Sequence, residues 1–385
     1  MEYKKITELA YTYIGLVTTM TKHYVDRGVP LLFNSSIKEE GIDISKPVFL
    51  DYDFAEKNKS RMHKKDDIIT VHTGNIGTSA IIPDYLDGSL GFATIVTRIY
   101  DTNVLLPKFL CYYLNYGNGK EKLYKYARDA RNNLNLTDYN KLMIPFLNIN
   151  DQKEIVKKID IIKSIINLDK KTIVLLEEII KAKFNEMFKS TNTRLVDEVI
   201  ASFKIGPFGS ALHKNEISDK GFAFVLGTDN AVKNRFEYNE IRYICEEKYN
   251  QLINYRVFPG DIIMSMMGTV GKTSIVPNDI EHAIISSHLC ILRTNNEIML
   301  PEFFQCAFHL DDDIESQIDG IHNGSIMKGF NLKIVKNFKV KCPSIYYQKK
   351  FVKFKLSIDK IRKDVESHIV NMEELLQKVF MKFCK

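Results

Sequence analysis

The sequence predicts an α+β protein: two mixed α/β globular parts separated by two long antiparallel coiled-coil helices, laid out as a pseudo-two-fold internal repeat. Three observations predict it. The chain repeats itself once, at an offset of 194 to 196 residues. Each copy opens with strand-length apolar runs punctuated by Gly, Asn, Asp and Pro. Each copy closes with a stretch free of Pro and Gly in which apolar residues recur at a 3-4-3-4 spacing.

The repeat organises everything else. Asp67-Ile68-Ile69, Gly74-Asn75-Ile76-Gly77 and Ile81-Ile82-Pro83 recur as Asp261-Ile262-Ile263, Gly268-Thr269-Val270-Gly271 and Ile275-Val276-Pro277. The offset is 194 without a gap, and seven of the 17 positions from Asp67 to Pro83 are identical. The same offset carries Leu106-Pro107-Lys108-Phe109-Leu110 onto Leu300-Pro301-Glu302-Phe303-Phe304. Further on the offset becomes 196, taking Asn135-Leu136 to Asn331-Leu332, Gln152 to Gln348, Glu177-Glu178 to Glu373-Glu374 and Phe184 to Phe380. The linear division that follows is a first globular part at 1–148, a helix at 149–190, a second globular part at 191–344 and a second helix at 345–385.

In the globular parts, Ile68-Ile69-Thr70-Val71, Ala93-Thr94-Ile95-Val96 and Ile262-Ile263-Met264 read as strands. Leu106 to Tyr116 and Leu300 to Leu310 read as short helices opened by Pro in the first turn, where its missing N–H costs nothing. Leu136 to Pro145 and Leu332 to Pro343 read as leucine-rich strands leading to each long helix.

The seam of the first long helix is Ile155, Ile159, Ile162, Ile166, Asp169, Ile173, Leu176, Ile180, Lys183 and Met187. The second is Phe351, Lys355, Ile358, Arg362, Val365, Ile369, Met372, Leu376, Val379 and Phe383. Eight of ten are apolar in each, and a 3.5-residue period held over five heptads marks a coiled coil. Two such helices in one chain most simply pack on each other. About 36 helical residues span roughly 54 Å, enough to hold two globular parts apart.

Composition sets the outer limits. The charged N-terminus lacks a signal-peptide stretch, and no apolar run nears the roughly 18 residues of a membrane span, so a cytoplasmic protein is expected. The net charge of +6 and pI of about 8.7 suit a polyanionic partner without demanding one. Six cysteines are scattered without any metal spacing, and no bound metal is expected.

The strongest enzyme signal is Met266-Met267-Gly268-Thr269-Val270-Gly271-Lys272-Thr273, which ends like a phosphate-binding loop. That loop needs a glycine where Met266 stands, and Thr78 replaces Lys272 in the first copy. The reading preferred is a pair of tight turns that let backbone approach a large ligand, with Thr73, Asn75, Thr78, Thr269, Lys272 and Thr273 placed to touch phosphate oxygens. No H-E-x-x-H, G-x-S-x-G or repeated carboxylate pair occurs. The Asn/Asp-Pro-Pro-aromatic tetrapeptide with which an amino-methyltransferase grips its target base is also missing. His288 and His322 have no histidine at their repeat positions. Two polar segments occupy equivalent places, Ala127-Arg128-Asp129-Ala130-Arg131-Asn132-Asn133 and His322-Asn323-Gly324-Ser325-Ile326-Met327-Lys328. Arg and Asn pair with guanine and adenine edges, and Lys suits phosphate, so Arg128, Arg131, Asn132, Asn133, Asn323, Ser325 and Lys328 join the candidate contacts.

This doubled order resembles the specificity subunits of type I restriction–modification systems. The resemblance rests on Pro259-Gly260-Asp261-Ile262-Ile263 and its counterpart Asp66-Asp67-Ile68-Ile69, the G-x-x-G turn in both copies, the Pro-then-Gln passage into each long helix, and Phe184 and Phe380 near the helix ends. It covers essentially the whole chain; single motifs are weak and their doubled order is specific. Lys65-Asp66 departs from Pro259-Gly260, and Pro145 sits two positions before the place aligned with Pro343. The resemblance implies two target-recognition domains reading the two halves of a split double-stranded DNA site, with helices that set the gap and dock two methyltransferase subunits. It implies no catalysis and no cofactor in this chain. S-adenosylmethionine, and ATP and Mg if restriction subunits join, would sit on the partners. The competing readings are a nucleic-acid enzyme using the Gly268–Lys272 turn, and a coiled-coil scaffold with two binding modules.

Overall fold

The computed structural model describes residues 2–128, 133–207, 211–240, 242–322 and 329–383, with residues 128, 322, 381 and 383 described by backbone alone. The chain forms two compact units that do not follow the linear division expected from sequence. Unit 1 is Met1–Lys171 with Val365–Lys385; unit 2 is Thr172–Asp364. Each therefore contains one globular part and one half of each long helix.

The same frame is built in both units. In unit 1 an antiparallel sheet has the order Ala10–Ile14, Thr94–Ile99, Ile68–Val71, Ser79–Ile81. In unit 2 the order is Ile200–Ile205, Leu289–Thr294, Ile262–Ser265, Thr273–Ile275. A second sheet contains one parallel pair in each, Val29–Leu32 with Leu90–Gly91 and Ala223–Leu226 with Ala283–Ile285. The central strands Ile68–Val71 and Ile262–Ser265 are buried at every position, as strands covered on both faces must be.

A buried aspartate fixes the start of each central strand. Asp67 accepts from Arg98 Nε at 2.9 Å and Nη2 at 2.6 Å, and from the Lys64 N–H at 2.7 Å. Asp261 accepts from Arg293 Nε at 2.8 Å and Nη2 at 3.0 Å, and from the Phe258 N–H at 2.7 Å. The planar guanidinium fork suits this two-point grip. The turn before it needs a left-handed residue: Gly260 has φ +86°, and Asp66 has φ +69°.

The repeated glutamines lock each globular part to its long helix. Gln152 is fully buried; its Oε1 accepts from Leu106 N and its Nε2 donates to the Val104 and Leu147 carbonyls, at 2.8 to 2.9 Å. Gln348 repeats this with Leu300 N, Ile298 and Pro343. Both thereby hold the loop before a proline-opened helix, Pro107–Tyr116 or Pro301–Leu310. The expected strands at Leu136 and Leu332 start instead as short helices, Leu136–Tyr139 and Leu332–Asn337, because Asn135 and Asn331 cap them through Asp138 N and Ile334 N. The strands follow at Met143–Phe146 and Lys339–Lys341.

The long helices run Ile149–Phe188 and Ile345–Phe383. Within unit 1 their segments pair antiparallel: Glu154 lies in the field of Lys382, and Asp169 accepts from His368 at 2.7 Å. That bond accounts for a polar residue at seam position 169. Ile155, Ile159, Ile162, Ile166, Leu376 and Phe380 are buried there, with Ile369, Met372 and Val379 half-buried against them. In unit 2, Ile180, Phe184 and Phe351 are buried with Ile358 beside them, and Phe188 and Phe303 complete an aromatic knot with centroids 5.0 to 6.2 Å apart. Leu176 is buried, and Ile173 and Val365 are half-buried. The side chain of Phe383 lies outside the described residues.

Candidate nucleic-acid interface

The two G-x-x-G motifs are tight turns joining antiparallel strands. Gly77 N donates to Val71 O and Val71 N to Thr78 O; Gly271 N donates to Ser265 O and Ser265 N to Lys272 O. All four glycines are left-handed, Gly74 at φ +80°, Gly77 at +85°, Gly268 at +75° and Gly271 at +77°. A Cβ at Gly77 would meet Lys120 at 3.2 Å, and one at Gly271 would meet Phe330 at 3.2 Å. Glycine is needed here for φ and for room together.

This geometry rules against a phosphate-binding loop at Gly268–Lys272. Such a loop leads from a strand into a helix whose N-terminus faces the phosphates. Here Thr273 begins a second strand of the same hairpin.

Each turn is joined by a polar segment distant in sequence. Thr73 bridges Asn133, and Leu134 N donates to His72 O at 2.9 Å. His72 Nδ1 also bonds Asn133 Oδ1 at 2.8 Å. In unit 2, Met267 bridges Gly329, and Phe330 N donates to Met266 O at 2.8 Å. In unit 1 the turn candidates Thr73 and Asn75 therefore meet Asn133 at one place; in unit 2 the residues that join the turn are Gly329 and Phe330. Asn75, Asn133 and Thr269 are exposed there, and Thr73 and Lys272 are partly exposed.

Two sequence expectations need correction. Thr78 and Thr273 are buried at 1% and 0% exposure: Thr78 directly follows Gly77, whereas Thr273, two residues after Gly271, begins a strand with its side chain inward. Thr273 Oγ1 is hydrogen-bonded to His309 Nε2 at 2.7 Å, and burial pushes that imidazole's pKa down to about 3, with Lys272 adding a smaller effect. Neither threonine is placed to touch phosphate. Arg131, Asn132, Asn323, Ser325 and Lys328, and the side chains of Arg128 and His322, lie outside the described residues. His288 is exposed, and its carbonyl accepts from Met266 N.

Sequence reasoning missed the wall opposite each turn. A short 3-10 turn, Asn34–Ser36 in unit 1 and Thr228–Asn230 in unit 2, follows the parallel strand at the same 194-residue offset. Asn34 Nδ2 donates to Thr73 Oγ1 at 3.0 Å. In unit 2 the wall is charged instead: Asp229 pairs with Arg242. The signal available was the offset itself, extended backward from Asp67; only Leu32 and Leu226 are identical along Val29–Leu32 and Ala223–Leu226.

The fold and this site define a duplicated protein: one frame used twice, each presenting a tight Gly turn beside a wall that differs between the units. Comparison with known proteins says which kind. Residues 203–371 match the model of the type I restriction modification DNA specificity domain. The chain is similar in fold to a type I restriction-modification system S subunit from M. genitalium, with TM-score 0.51 and 16% identity over 98% of this chain and 96% of that one. It is also similar to a chain from a structure on complex assembly and conformational transition of the type I R-M system, with TM-score 0.62 and 14% identity over 99% of this chain and 96% of that one. The match to the specificity-domain model thus covers residues 203–371, and along its full length the chain shares the fold of these solved structures.

Proposed function

We propose that this chain reads a bipartite double-stranded DNA site on behalf of other subunits, one half-site per globular part, and performs no chemistry itself. The observation that carries the reading is the recurrence, in both units, of an exposed Gly turn on one repeated frame, joined by Asn133 in unit 1 and bordered by unlike walls in the two units. Backbone close to a turn suits phosphate contact, and the unlike walls suit unlike half-sites.

The partners are two methyltransferase subunits that methylate adenine N6. S-adenosylmethionine sits on them, as do base flipping and its pocket. Restriction subunits, where they join, bring ATP and Mg. Exposed apolar residues on the first long helix support docking: Ile161 and Leu168 in unit 1 are 50% and 62% exposed, and Leu175 and Ile179 in unit 2 are 56% and 47% exposed. No helix among the described residues is long and apolar enough to cross a membrane, and we place the complex in the cytoplasm with its DNA.

The test is methylation mapping. The chain is expressed with its neighbouring methyltransferase in a host lacking adenine methylation, and N6-methyladenine is mapped across the genome. A split motif that appears only with this chain is the expected result. Methylation unchanged by the chain, with both proteins soluble, overturns the reading in favour of a scaffold.

A further inference from the structure

We infer that Asn34, held in place by Thr73, reads an adenine in the half-site bound by unit 1. The inference rests on the DNA-reading role proposed above and names a residue for it.

Asn34 stands on the wall of a concavity of about 490 Å³ beside the first Gly turn, with Lys38, Glu39, Glu40, Thr73 and Asn75 also lining it; Glu39 is paired with Lys120. Asn34 Oδ1, beside this concavity, is buried and lacks a hydrogen-bond partner. A buried polar group left unpaired is unfavourable, and at the wall of an open concavity it points to a ligand that completes it. The amide is already oriented. Its Nδ2 gives one hydrogen to Thr73 Oγ1 at 3.0 Å, which leaves a second N–H and the whole of Oδ1. One free donor beside one free acceptor matches the adenine edge in the major groove, where N6–H₂ donates and N7 accepts. Guanine offers two acceptors there and leaves Oδ1 unmatched. The 3-10 turn fixes the backbone under Asn34, and Asn133, bridged to Thr73, extends the same polar rim.

Unit 2 sharpens the assignment. At the 194-residue offset Thr228 replaces Asn34, Met267 replaces Thr73 and Thr269 replaces Asn75. No side-chain amide stands at any of these positions, so the second half-site is read by different chemistry.

The experiment uses the assembled complex. Asn34→Ala, Asn34→Asp and Thr73→Val are each co-expressed with the methyltransferase, and methylomes are compared with wild type and with Thr228→Ala. Asn34→Ala is expected to make one adenine of one half-site degenerate, lowering discrimination there by roughly ten- to a hundredfold, with the other half intact. Asn34→Asp, unable to donate to N7, is expected to shift that position toward cytosine; Thr73→Val gives a weaker loss at the same position. Thr228→Ala leaves that half-site unchanged. Where a variant complex assembles but methylates nothing, competition with duplexes altered at single positions reads the same quantity. Wild-type discrimination at every position in both Asn34 variants overturns the inference while leaving the reading role standing. No split motif with the wild-type chain removes the reading role itself, and this inference with it.

Discussion

The Gly-turn hairpins of the two units share a skeleton and differ in almost everything that lines it. Strand order, left-handed glycines, the Asp–Arg grip and the glutamine clamp all recur. The side chains around that skeleton do not. Ser79 is held through its backbone by Asn115, whereas Thr273 is held through its hydroxyl by His309, at the position equivalent to Asn115. The wall is an amide on a hydroxyl in unit 1 and an ion pair in unit 2. Between the two units the parts that set backbone position are kept, and the side chains that line the turn differ. Backbone geometry has few solutions, since left-handed φ, a bidentate grip and a three-bond clamp each admit few residue types.

The largest effect tests whether the skeleton does the same work in both units. Asp67→Ala leaves Arg98 without its partner and the Lys64 N–H without its acceptor; Asp261→Ala does the same to Arg293 and the Phe258 N–H. Each is expected to destabilise its own unit by about 2 kcal/mol, because a buried carboxylate that accepts charged and backbone hydrogen bonds is lost, while the partly exposed arginine keeps a backbone carbonyl and water. Hydrogen exchange resolved by unit measures it. A loss in one unit under 1 kcal/mol, against the full loss in the other, would show that the two grips are not equivalent.

Next comes a pH effect that the repeat predicts should be separable. His63 is buried at 1% exposure, and burial, with a smaller contribution from Arg98, pushes its pKa down to about 3. A histidine kept neutral in the fold contributes stability that is present above its unfolded pKa near 6.5 and lost as pH falls toward 3. Between pH 7 and pH 5 that loss is about 2 kcal/mol. Val257 occupies the equivalent place in unit 2 and is also buried. His63→Val is therefore expected to flatten the acid sensitivity of unit 1, and His309→Asn, copying Asn115, to do so in unit 2. Denaturant midpoints from pH 7 to 5 check both; an unchanged slope in His63→Val would mean that the acid-sensitive group lies elsewhere.

Much of the skeleton was legible in the sequence. Glycine, aspartate, proline and glutamine at a constant offset are residues whose backbone or hydrogen-bonding roles no other residue fills, so they stand out in a single chain. The helix seam was legible because burial against a helix imposes a period. Three things were not. Arg98 and Arg293 lie 195 residues apart, off the register of their aspartates, and an arginine on a strand looks like surface. The inward facing of Thr78, one residue past its turn, and of Thr273, two residues past its turn, depends on the local backbone after each turn, which polarity alone does not reveal. The assignment of helix halves to different units depends on tertiary packing, since the seam reads the same along its whole length.

The smallest effect concerns a turn at which the skeleton itself departs from the repeat. Gly260 and Asp66 make the same turn, with Gly260 N donating to Val276 O at 2.9 Å and Asp66 N to Ile82 O at 3.0 Å. Both are left-handed, but only glycine adopts that region without a Cβ penalty. Asp tolerates it better than most residues, which explains how the departure survives. Asp66→Gly removes the strain and gives some of the gain back as unfolded-chain entropy, so unit 1 should become more stable by about 0.5 kcal/mol. The reverse change, Gly260→Asp, should cost unit 2 a similar amount. A pair of denaturation curves decides it. If Asp66→Gly destabilises instead, the aspartate carboxylate contributes something that the turn geometry does not show, and the departure from the repeat at 66 would be functional rather than tolerated.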